Sequence, residues 1–78
     1  MRVIKEIQHQ LCRITIFQWN GKYLIKFEQD NLEQTYKIDE FDVLNVKAVE
    51  SIISEDFIRR IAGRFREMNT DLDNFMNS

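Results

Sequence analysis

The sequence has no proline, one cysteine, one histidine and two glycines in 78 residues. A single cysteine excludes an internal disulfide framework, and one cysteine with one histidine excludes a zinc site built on those ligands. Gly21 and Gly63 stand far apart, so no glycine-rich phosphate loop can be assembled. No run approaches the roughly 20 apolar residues that a membrane helix needs. The opening segment MRVIKEIQHQ lacks the continuous apolar core of a signal peptide. Arg2 stands where myristoylation requires glycine, and the final FMNS is not a prenylation box. The expectation is a cytoplasmic protein whose Cys12 stays reduced. Neither sign of charge dominates: 11 Lys+Arg against 13 Asp+Glu give a net charge of −2, with a pI near 5.3. That is not the footprint of a strongly basic nucleic-acid binder.

There are also no repeats and no linker-like stretches, so residues 1–78 read as a single domain. A domain of this size sits near the limit where one core is sufficient. With disulfides and metals excluded, association remains as the source of further burial, most simply a C2 homodimer.

What is present begins with a turn. Asn20-Gly21 lies between the β-rich runs LCRITIFQW and KYLIKFEQ. A two-residue Asn-Gly loop suits a type I′ turn and fixes the register of both strands. Trp19 then faces Lys22, Phe17 faces Leu24, Ile16 faces Ile25 and Arg13 faces Glu28. Alternation sorts Cys12, Ile14, Ile16, Tyr23, Ile25 and Phe27 onto one face. Arg13, Thr15, Phe17, Trp19, Lys22, Leu24, Lys26 and Glu28 fall on the other. A second turn at Asp30-Asn31 leads into a third strand, Leu32 to Ile38. Leu32, Tyr36 and Ile38 join the apolar face, with Gln34 as a polar intruder, while Glu33, Thr35 and Lys37 join the mixed one. Residues 2–8, with Val3, Ile4 and Ile7, form either a fourth, edge strand or an arm that pairs with a partner subunit.

After an acidic connector, Asp39, Glu40 and Asp42, the pattern turns helical. Asn45 caps a short helix to about Ile53, and Ser54 caps a long one from residue 55 to about 76. Glu55 and Asp56 occupy its first turn, where the macrodipole favours negative charge. At roughly 100° per residue, Phe57, Ile58, Ile61, Ala62, Phe65, Met68, Leu72, Phe75 and Met76 share one broad stripe. The apolar residues of the shorter segment point about 100° or more from its centre, so the helix breaks at Ser54. Phe57, Ile61 and Phe65 are the expected anchors against Ile14, Ile16, Ile25 and Phe27. The fold class is α+β: an antiparallel three-stranded meander, a short helix, and a long amphipathic helix packed on one sheet face.

Catalytic chemistry finds no footing in these residues. His9 and Cys12 project to opposite sides of an extended chain and form no thiol–imidazole pair. Ser51 and Ser54 lie at helix ends without a base. Asp39, Glu40 and Asp42 lack the ligand spacing and turn glycine of a calcium loop. The chain reads as non-enzymatic, with no cofactor and no metal. Gly63 stands mid-helix on the polar side, at a cost of about 1 kcal/mol relative to alanine. It either admits a close-packed partner helix or has no role.

The informative surface is the second sheet face. Phe17, Trp19 and Leu24 cluster at its Asn-Gly end, and nothing in the chain is evidently left to cover them. The expected function is a non-catalytic interaction module whose patch meets a second copy or another protein, with a charged rim. The alternative is single-stranded nucleic acid, with Trp19 stacking bases while Arg13, Lys22, Lys26 and Lys37 follow the phosphates. The sheet-then-helix layout resembles PUR and Whirly-type single-strand-binding domains, which implies that alternative. The resemblance is architectural, carries no sequence motif, and requires residues 2–8 to supply a fourth strand.

Overall fold

In the computed structural model, which describes residues 1–77, Asn20 and Gly21 adopt φ of 54° and 75°. These are the left-handed values a type I′ turn requires. The turn joins β2 (Arg13–Trp19) to β3 (Lys22–Gln29), and Asp30, at φ 53°, begins the turn into β4 (Leu32–Asp39). Both registers are those expected: Trp19 opposite Lys22, Phe17 opposite Leu24, Ile25 opposite Tyr36 and Tyr23 opposite Ile38.

The meander has four strands rather than three. Residues Arg2–Gln8 form β1, paired antiparallel with β2 of the same chain, so the sheet order is β1-β2-β3-β4. They are therefore an edge strand and not a free arm. The register shifts between Val3 and Lys5, which are opposite Phe17 and Ile16. This bulge absorbs Ile4 and lets Ile4 and Ile7, three residues apart, both pack against the core.

Two helices cover one face. A single 3-10 turn, Glu40–Asp42, precedes α1 (Val46–Ile52), whose N-cap Asn45 side chain accepts from the Ala48 N–H at 3.1 Å. Ser54 caps α2 (Glu55–Met76) by accepting from the Phe57 N–H at 3.1 Å. The backbone break between the helices falls at Ile53–Ser54, as the change of apolar phase requires. Lys5 on β1 reaches Glu50 on α1, and the His9 imidazole Nε2 lies 3.0 Å from Glu55 at the start of α2. The Leu11 N–H donates to His9 Nδ1 at 3.1 Å, so Nε2 carries the proton that faces Glu55.

Between these layers, Ile14, Ile16, Ile25, Phe27, Val49, Ile61 and Phe65 are fully buried. Each large side chain so enclosed contributes about 1.5–3 kcal/mol of transfer free energy. Phe57 is only half-buried and packs its ring on Phe27 and Tyr36, with centroids 5.8 and 5.5 Å away. Gln34 is accommodated among the apolar residues because its Nε2 donates to the Ile61 carbonyl at 3.0 Å. α2 passes the Leu32 corner of β4 and runs on. Leu72, Phe75 and Met76 are 45%, 81% and 72% exposed, although they continue the stripe that α2 buries earlier. No helix among the described residues is long and apolar enough to cross a membrane.

Candidate sheet-face interface

With both helices on one side, the opposite side of the sheet is free, and pairing across the strands sets out its residues in rows. Val3, Phe17, Leu24 and Lys37 form one row. Trp19, Lys22 and Asp39 lie beyond it toward the Asn20-Gly21 turn. Glu6, Thr15, Lys26 and Thr35 lie on its other side, followed by Gln8, Arg13, Glu28 and Glu33.

The three apolar residues singled out in the sequence do come together, in unequal states. Trp19 is 50% exposed, Phe17 is half-buried and Leu24 is 7% exposed. Leu24 and the buried Thr15 are thus floor, and Phe17 and Trp19 stand above it. Some cover is supplied by this chain's own start. Val3 lies beside Phe17, and Met1 lines a recess of about 180 Å³ with Phe17, Leu24, Lys26, Glu33 and Thr35. Both remain mostly exposed, at 54% and 73%. They enlarge the apolar patch more than they close it.

The charges differ from the tally that β2, β3 and part of β4 suggest. Once β1 and the end of β4 are included, Arg13, Lys22, Lys26 and Lys37 share the face with Glu6, Glu28, Glu33 and Asp39. That is four of each sign. Arg13 lies 2.8 Å from Glu6, Lys22 2.9 Å from Asp39, and Lys26 3.2 and 3.9 Å from Glu33 and Glu28. The Glu6 carboxylate, by hydrogen bond and by charge, raises the Arg13 guanidinium further above its ordinary range. Of the four cations, Lys37 alone has no carboxylate partner among the described residues. Glu28 and Glu33 stand directly opposite each other, a like-charge pair bridged by Lys26.

Two of the three acidic connector residues are engaged within the fold. Asp39 pairs with Lys22, and Glu40 accepts from the Gln18 side chain. Cys12 is buried, and burial pushes its thiol above the ordinary value.

Three features escaped the pattern of alternation. Met1 and Val3 were assigned to no face, because β1 had no fixed register. The Glu6 and Asp39 charges lie outside the three strands that the sequence alone predicts. Phe41 and Leu44, on the connector after β4, stand 99% and 96% exposed. A hydrophobic residue inside an acidic stretch is the available signal for Phe41. Compared with family models, with curated proteins and with solved structures, the chain matches none of them.

Proposed function

We propose that this chain is a non-catalytic association module whose free sheet face meets a protein surface, in the simplest case a second copy of itself. The observation that carries this reading is the combination on one face of an apolar patch, Met1, Val3, Phe17 and Trp19, with a balanced set of charges. A half-exposed tryptophan on a buried floor, ringed by groups of both signs, has the anatomy of a protein–protein contact. A phosphate backbone would meet four carboxylates as well as four cations, and three of those cations are already neutralised by neighbours.

Sedimentation equilibrium over a concentration series tests the reading. Phe17→Ala with Trp19→Ala should weaken self-association by about thirtyfold or more, as loss of two central aromatics does. Circular dichroism checks that the fold is kept. An unchanged mass would count against contact through this face.

The second reading is single-stranded nucleic acid, supported by the half-exposed Trp19 and by Lys37, which has no carboxylate partner among the described residues, on the same face. It requires binding of labelled single strands that weakens steeply with salt. Absence of salt-sensitive binding removes it.

A further inference from the structure

We propose that the open edge of β4 pairs with β4 of a second copy about a two-fold axis through Thr35, joining two sheets into one of eight strands. The occupant is a second copy of this chain, and the register follows from the hydrogen-bond phase and the charges. This inference does not rest on the sheet-face reading: it uses the outer backbone edge of β4, and shares with that face only the side chains of Glu33, Thr35 and Lys37.

The two edges of the sheet differ. β1 carries the bulge at Val3–Lys5, a device that bends an edge away from new partners. β4 is eight residues long, with no bulge in its pairing to β3 and no proline. Such a straight edge is a template for another strand.

Its phase is fixed. The Glu40 N–H donates to the Gly21 carbonyl at 3.0 Å, extending the β3–β4 ladder by one rung. Pairs alternate along an antiparallel ladder, so Leu32, Gln34, Tyr36 and Ile38 bond inward to β3. The backbone groups of Glu33, Thr35, Lys37 and Asp39 therefore point out of the edge. A symmetric antiparallel partner must match outward groups with outward groups. A centre at Tyr36 places Glu33 opposite Asp39 of the second copy, two carboxylates face to face. A centre at Thr35 places Glu33 opposite Lys37 of the second copy, twice over, and Thr35 opposite its own copy. It also sets Leu32 against Ile38 on the helix side.

This register answers two irregularities already described. Lys37, the one cation of the face without a carboxylate partner among the described residues, acquires one. Glu33, held against Glu28 across the ladder, acquires a second cation besides Lys26. The same two-fold also brings the Leu32 corner, where Leu72 and Met76 run out past the sheet, alongside the second copy's connector. Phe41 and Leu44 project from that connector into solvent in the single chain.

The test is sedimentation equilibrium of the full chain and six variants, with circular dichroism as the control for folding. Thr35→Pro removes an outward N–H that the isolated fold does not use, so, placed in the Phe17→Ala, Trp19→Ala background that disables the sheet face, it should yield a folded monomer. Glu33→Lys and Lys37→Glu should each weaken dimerisation by about tenfold or more, since each reversal opposes like charges at two symmetric places. Glu33→Lys combined with Lys37→Glu should restore the wild-type constant to within about threefold. A dimeric Thr35→Pro in that background, an unrescued double reversal, or a wild-type monomer at millimolar concentration would each overturn the proposal. Loss of dimer on Phe17→Ala with Trp19→Ala while Thr35→Pro stays dimeric would locate self-association on the sheet face instead.

Discussion

At the scale of single residues, the clearest chemical consequence belongs to Cys12. It is 6% exposed, and burial raises its thiol above the ordinary value of 9.0. Unfolding returns it to water, so between the two values the folded chain holds a proton that the unfolded chain has lost. Stability is then indifferent to this group below about pH 9 and falls as pH rises through the folded value. Urea titrations at pH 8 and pH 10 should record that fall, and Cys12→Ala should lessen it. The same burial should slow reaction with a thiol reagent by about tenfold or more relative to the urea-unfolded chain. Phe65, fully buried at the centre of the helix layer, marks the other extreme. Phe65→Ala should cost about 3–5 kcal/mol in chemical denaturation, a large share of what a domain of this size possesses.

At the scale of elements, α2 carries an avoidable weakness. A Cβ added at Gly63 would meet only the Arg66 guanidinium, at 3.6 Å, which is ordinary contact. Nothing in the single chain demands glycine there. Gly63→Ala should therefore stabilise by about 0.5–1 kcal/mol, and thermal melting should rise by about 2–8 °C. By contrast, Ser54→Ala removes the oxygen that receives the Phe57 N–H and should cost about 1 kcal/mol. These elements were legible for definite reasons. Asn20-Gly21 permits one turn geometry, and that geometry dictates every partner in β2 and β3. Asn45 and Ser54 announce helix starts because their side chains replace missing backbone acceptors. β1 was obscure because its apolar residues, Val3, Ile4 and Ile7, are spaced as on a helix and do not alternate. Ile4 and Ile7 are three apart, which in a straight strand places them on opposite faces. Only the bulge reconciles them, and a bulge leaves no mark in residue type. Helical phase likewise told which side of α2 is apolar, but not where the sheet beneath it ends. Leu72 and Met76 thus read like Ile61 and Phe65, though only the latter pair is covered.

At the scale of the whole molecule, the principal extents of 46, 25 and 19 Å reflect that overrun of α2. Local stability should follow it. Hydrogen exchange should be slow for the amides of Ile58 to Phe65 and faster by about a hundredfold or more from Leu72 onward, where tertiary contacts are few. The pairing of surface charges was the least legible part of the chain, because it depends on what happens to lie alongside a residue. Lys37 and Lys26 look alike in sequence, and only the fold gives Lys26 its carboxylates. The irregular β1 margin also governs how far such units can grow. A ribbon with one receptive border and one crooked border has an edge valence of one, so edge-to-edge joining stops at a pair. Excising Ile4 would straighten the crooked border and supply a second point of attachment. Solutions of that variant should thicken into long polymers and scatter light, under conditions where the parent remains clear.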